Sequence, residues 1–425
     1  MRIFLPLLIF LSLNLLAVAQ RDCHSAEYKQ EMIRLNPDMA VKIQQIESFT
    51  RQQLQTPAIA VTGTEPAGKV ASVIRIPVIV HIIYNSDQQN ISDAQVQSQI
   101  DVLNRDYRKL NVDTARLPGY FSPLAADCGF QFVLANIDTN GNATTGIVRR
   151  HTNVSSFQLD DAIKFTARGG DDAWDRDRYL NLWVGNLVPG ILGYASIPGS
   201  PKATDGVAID YTAFGTTGTV IAPFNLGRTA THEIGHWLNL VHIWGDADCG
   251  DDGVDDTPQQ QQATRGNPSG MIFSCGNTSY GNLYMDYMDF TDDIGMHLFT
   301  YGQRNRMRTL FAEGGFRAPL LTSNALTGTP VNGGSPTTGP SSGEGEGVTL
   351  QIYPNPAINT VSVNVSEPAC VGSLLELYDQ VGQRLMTIRI TGTSFQLNVS
   401  SLPRGLYFIR VNGGPIKSSY RLVKI

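Results

Sequence analysis

Within the eleven residues His232-Glu233-Ile234-Gly235-His236-Trp237-Leu238-Asn239-Leu240-Val241-His242 lie three of the chain's seven histidines. No other stretch constrains the fold so tightly. On a helix, positions four apart lie about 40° apart around the axis, so His232 and His236 share one face. That spacing lets two neutral imidazoles bind one tetrahedral Zn2+. Glu233 follows the first of them, placed to handle the proton of a metal-activated water without being a ligand. His242 stands roughly 80° off the line of His232 and about 15 Å along a continuing helix. It reaches the same metal only if the helix breaks and the chain doubles back. Asn239 supplies the break, since Asn is the commonest non-glycine residue at a left-handed helix cap. Three protein ligands leave a fourth position open, the arrangement of a catalytic zinc. The alternative, a secreted surface-binding protein with a structural metal, needs a fourth ligand that this motif does not supply.

At 425 residues the chain is long enough for two or three domains, each with its own core. The net charge of -6 is spread widely, and no basic block offers a nucleic-acid surface. Arg2, the apolar run Ile3 to Leu16 and the small residues Ala17-Val18-Ala19 read as a secretory signal peptide over residues 1–19. No later stretch is long and apolar enough to span a bilayer, so no membrane span is expected in the mature form. Five cysteines cannot all pair internally. Cys249 and Cys275 flank one loop beyond the histidine stretch and form the candidate disulfide. Cys23, Cys128 and Cys370 fall in three different regions and are expected to stay single.

Residues 20–55 read as a polar, helix-compatible pro-segment, with Ile33, Leu35, Met39, Val41, Ile43 and Ile46 spaced along it. Val78 to Tyr84 is a β-branched run suited to a buried strand, with Pro77 expected at its start. Ser92 opens a helix whose capping box Gln95 completes. Val96, Ile100, Leu103 and Tyr107 follow as its buried face. Further strands are expected at Phe130–Ala135, Tyr179–Val184 and Gly206–Asp210. Past His242 the chain turns irregular and acidic, and the run Asp246, Asp248, Asp251, Asp252, Asp255, Asp256 is dense in hard oxygen ligands. Residues 321–347, rich in Gly, Pro, Ser and Thr, read as a flexible linker. From 348 to 425, strand-like runs such as Thr349–Tyr353, Val361–Val365, Leu374–Tyr378 and Leu406–Val411 suggest a small β-sandwich.

The histidine stretch resembles the metzincin signature, with Asn239 where that signature has glycine. Its neighbouring words, His242-Ile243-Trp244-Gly245-Asp246 and Val254-Asp255-Asp256-Thr257-Pro258, resemble the pappalysin family, cytophagalysins included. The resemblance covers roughly residues 74–315. It implies an α+β metzincin catalytic domain over residues 56–320, a twisted mixed sheet over a zinc helix, with Leu192-Gly193-Tyr194-Ala195 as the edge strand that pairs with substrate. It further implies a secreted zinc endopeptidase acting on proteins or peptides. Met288 would then be the methionine of the turn beneath the zinc. Phe290 takes the place of the family's tyrosine, with Tyr287 as the candidate substitute. Asp293 would receive a basic side chain after the scissile bond. Asp252, Asp255 and Thr257 would contribute to a calcium site, and Cys23 would bind the zinc of the zymogen until cleavage near Thr50-Arg51. At the other end, Tyr353-Pro354-Asn355-Pro356, Gly382-Gln383 and Leu402-Pro403-Arg404-Gly405-Leu406-Tyr407 resemble the C-terminal sorting domain of type IX secretion. That implies the type IX machinery as a partner, and release or surface attachment by way of the periplasm and outer membrane.

Overall fold

Nearly all of β1 (Ile74–Tyr84) is buried; only Arg75 is exposed and Tyr84 half-buried. Parallel neighbours on both sides account for this. β2 (Phe130–Leu134) and β3 (Ile147–His151) lie end to end along one side of β1, and β4 (Leu180–Gly185) runs along the other. β5 (Gly193–Ala195) forms the outer edge, antiparallel to β6 (Val207–Asp210), which in turn pairs with β4. The computed structural model describes residues 23–56, 73–278, 280–328 and most of 350–424. The signal peptide, Cys370 and linker residues 329–347 fall outside the described residues.

Pro77 does not start β1 but sits inside it, opposite Val133. Ile74 N donates to Gly129 O and Val78 O accepts from Ala135 N, so the even positions of β1 bond to β2. Pro77 turns its missing donor to the other side, where pairing with β4 begins only at Val78. The sheet therefore loses no hydrogen bond there.

The stretch read as a helix-compatible pro-segment folds as two helices, α1 (Ser25–Leu35) and α2 (Asp38–Leu54). Pro37 divides them, because the residue before a proline is driven out of helical geometry. Tyr28, Met32 and Met39 pack with Trp183 and Tyr194 on the sheet. Thr50 is fully buried inside α2, 3.3 Å from both Asn239 Nδ2 and Thr309 Oγ1. A protease cannot engage Thr50-Arg51 as an extended chain while α2 is intact.

α3 (Asp93–Asp106) and α4 (Arg228–Trp237) share one core with the sheet. Ser92 Oγ caps α3 by accepting from Gln95 N at 3.2 Å, but the expected capping box is only half formed. The Gln95 side chain donates instead to Phe214 O and Thr219 Oγ1, both at 2.9 Å, and so pins a distant loop. α5 (Tyr301–Thr309) carries a complete box between Thr300 and Gln303. The disulfide joins Cys249 to Cys275 across the loop between α4 and α5.

The linker boundary needs correction. Ala325 is buried, its carbonyl accepts from Asn136 N and Ile137 N, and Ser323 Oγ donates to Arg178 O. The first of the chain's two compact units thus runs at least to Gly328. The second unit, taken by itself, has two antiparallel sheets of three and four strands. They enclose a core that includes Val361, Val363, Leu375, Leu377, Ile409 and Leu422. No helix among the described residues is long and apolar enough to cross a membrane.

Candidate metal centre

α4 is buried along its whole length and ends in a Schellman turn. Asn239 N donates to His236 O and Leu240 N to Gly235 O, both at 3.0 Å, while Asn239 takes φ 75°. The chain reverses there and returns His242 to the same face as His232 and His236. The reversal also orients a ring: His236 Nδ1 donates to Leu240 O at 2.9 Å. His232 Nδ1 donates to Tyr287 O at 2.6 Å, and His242 Nδ1 is bonded to Asp246 Oδ1. Trp244 stacks on the His242 ring at 4.3 Å, and Phe290 packs against both His242 and His232.

Carbonyl partners can only accept, so Nδ1 of His232 and His236 carries the proton and their Nε2 is left as a lone pair. His236 Nε2 lies 3.2 Å from His232 Nε2 and 3.1 Å from His242 Nε2. Tetrahedral coordination at zinc–nitrogen lengths of about 2.0–2.1 Å calls for separations of about 3.3 Å. Burial, and then the neighbouring His242, push the His236 pKa down to about 3, so it is a neutral imidazole. Converging unprotonated nitrogens without a cation would repel one another, and the donor set therefore fits zinc.

Cys23 Sγ approaches the same point, 3.4 Å from His236 Nε2 and 3.5 Å from Glu233 Oε2. Its sulfur and the three histidine nitrogens all lie within 4.8 Å of one another, the one such grouping of metal-binding side chains among the described residues. A backbone bridge between Cys23 and Gly193 holds the N-terminal segment against edge strand β5, parallel to it. Ser25 lies beside it. Its hydroxyl donates to Glu233 Oε2 at 2.8 Å and accepts from Ala195 N at 2.9 Å.

Met288 is fully buried beneath the middle of α4. A Cβ on Gly235 would stand 2.4 Å from its sulfur, so any larger residue at that position would require the Met288 side chain to shift. The hydroxyl of Tyr287, the candidate substitute for the family's tyrosine, is fully buried and accepts from Arg228 Nη1 at 3.0 Å. Asp293 is buried at the start of α4, where Oδ2 accepts from Leu226 N at 2.7 Å and Arg228 N at 3.3 Å. Asp252, pushed up to about 7 by burial, accepts from Thr257 Oγ1 and Val254 N, while Asp255 faces solvent. This geometry lends calcium no support. Asp246, counted with the acidic run, instead orients His242; the His-x3-Asp spacing was its only signal. Nothing in the sequence marks Ser25, which acts across 208 positions of chain.

The peptidase M43 family profile, described as pregnancy-associated plasma protein-A, matches residues 167–312, and a secretion-system C-terminal sorting domain matches 351–425. An extracellular metalloprotease of Pyricularia oryzae is 33% identical over 318 residues, covering 72% of this chain and 94% of the relative. The chain belongs to this family. Among solved structures, mature mirolysin of Tannerella forsythia bound to a cleaved peptide is 47% identical with a TM-score of 0.59, covering 60% of this chain and 98% of that one. A Tannerella forsythia promirolysin variant is 42% identical with a TM-score of 0.65, covering 73% of this chain and all of its own. This metalloendopeptidase is therefore a secreted or cell-surface zinc enzyme with a type IX sorting domain. The family decides against a mere surface-binding protein.

Proposed function

We propose that the chain is a latent endopeptidase in which His232, His236 and His242 hold the zinc, Glu233 moves the proton, and Cys23 closes the fourth position. The convergence of three imidazole nitrogens and one sulfur carries this reading. When bound, zinc supplies Lewis acidity for a substrate carbonyl and makes water a nucleophile near neutral pH. Glu233 takes the proton from the attacking water and returns it to the leaving amine. β5 presents its backbone to an extended peptide, the position that Cys23 and Ser25 take in the zymogen. Met288 supports α4 from below, and Asp293 stands as the residue to pair with a basic side chain after the scissile bond. Latency also draws on Glu47, which accepts from Arg306 Nη2 at 2.6 Å and so clasps α2 to α5. The longer match to a promirolysin than to a mature mirolysin, 73% against 60% of this chain, fits removal of an N-terminal segment.

Zinc content tests the ligand assignment. Purified zymogen should carry one zinc per chain, and His242→Ala should lower occupancy at least about tenfold. Unchanged zinc in that variant refutes the role of the chain reversal at Asn239.

We also propose that the sorting domain directs export and is dispensable for catalysis. A chain ending at Gly334 should cleave peptides within about twofold of the full enzyme. One ending at Leu321 should melt several degrees lower, since it strips the Ala325 pairing and leaves Asn136 N without its carbonyl acceptor. Equal melting of the two chains would show that residues 322–334 contribute nothing.

A further inference from the structure

We propose that the pocket filled by Tyr28 is, in the mature enzyme, a subsite that selects substrates carrying a tyrosine side chain near the scissile bond. The proposal rests on the reading that the pro-segment leaves on maturation.

Tyr28 is only 1% exposed, and the site recognises its phenol as well as its ring. The hydroxyl donates to Asp161 Oδ2 at 2.7 Å and accepts from Lys164 Nζ at 3.3 Å. Its ring lies 5.0 Å from that of Tyr194, and the Lys164 ammonium stands 4.9 Å from the centre of each. Burial, and then Asp161, hold the Tyr28 hydroxyl well above the usual tyrosine range, so it is a dependable O–H donor.

These partners belong to the catalytic body, and they hold one another without Tyr28. Lys164 Nζ pairs with Asp161 Oδ1 and donates to Thr204 O, both at 2.9 Å. Departure of the pro-segment therefore leaves a built pocket with an acceptor, an ammonium and an aromatic wall. A fully buried ammonium is costly to keep where simple packing would serve, and an apolar anchor would need neither Asp161 nor Lys164.

Position makes the pocket a subsite. Tyr194 lies on β5 between Gly193, bridged to Cys23, and Ala195, bonded to Ser25. Alternation along a strand sends Tyr194 to the face opposite Gly193, whose Cβ would meet Glu233 Cγ at 3.0 Å. A substrate lying along β5 presents every second side chain to that opposite face. One helical turn and a short extended step separate Tyr28 from Cys23, roughly 10 Å, or about three residues of extended chain.

The test uses enzyme matured by its own processing and fluorogenic peptides carrying Tyr, Phe or Ala, one position at a time, within four residues of the scissile bond. At one position kcat/KM should favour Tyr over Phe by about tenfold or more, the range of a hydrogen bond to a charged group, and over Ala by more. Asp161→Asn, which the left-handed backbone at φ 62° accommodates, should cut the Tyr/Phe ratio several-fold, because a neutral amide oxygen accepts more weakly than a carboxylate, while leaving the Ala peptide within about twofold. Should that variant fail to fold, the discrimination shown by unaltered enzyme still decides. Equal kcat/KM for Tyr, Phe and Ala at every position, in enzyme that cleaves the Ala peptides well, overturns the subsite alone. Full activity of the unprocessed chain with its pro-segment intact overturns the zymogen reading, and the subsite with it.

Discussion

Glu233→Ala should lower kcat by about ten-thousandfold and leave one zinc per chain. General acid–base groups contribute at most about that factor, and Glu233 is a buried carboxyl whose Oε2 lies 3.5 Å from the Cys23 sulfur. The metal should stay because the three imidazoles are oriented by Leu240 O, Tyr287 O and Asp246, none of which depends on Glu233. Removing the side chain also deprives Ser25 of its acceptor, so the pro-segment should bind less tightly as well. Zinc analysis together with turnover of a quenched peptide separates the two effects. Retained turnover at full zinc would remove Glu233 from the mechanism.

Cys23→Ala should release latency. The sulfur contacts both His236 and Glu233, and alanine can neither bind metal nor hold Glu233. If that contact supplies roughly 3 kcal/mol of the clamp, maturation should quicken on the order of a hundredfold. The remaining holds, Ser25 on Glu233 and Glu47 on Arg306, should keep the variant folded and slow it short of immediate activity. Zinc-edge absorption on a Glu233→Ala zymogen gives the direct reading, with one sulfur neighbour expected. A zinc surrounded only by nitrogen and oxygen would mean that latency comes from the clasp and not from the thiol.

The centre was legible because metal coordination writes itself into spacing. Two histidines four apart and a breaker three residues further on leave few folds open, and Asn239 takes the left-handed conformation that its type suggests. What holds those ligands was not legible. Tyr287 acts through its backbone carbonyl, which carries no side-chain signature, and Ser25 joins Glu233 only after the whole sheet has formed. Composition misled at 321–328, where small polar residues resemble a linker yet pack through backbone hydrogen bonds. The strand β3 escaped because Arg149-Arg150-His151 is polar, its pairing with β1 being set by the neighbouring chain. At Gln95 the side chain was read as local chemistry, but a loop more than a hundred residues away claimed it.

At Gly235 helix propensity and packing pull in opposite directions. A glycine inside a helix costs about 1 kcal/mol relative to alanine, so propensity alone favours replacing it. Alanine there would have to push the Met288 sulfur aside, directly beneath the helix that carries His232 and His236. A gain in helix propensity would thus be set against repacking of Met288. A thermostabilising programme guided by helix propensity alone would be drawn to this position, where the opposing cost is legible only in the packing beneath the helix.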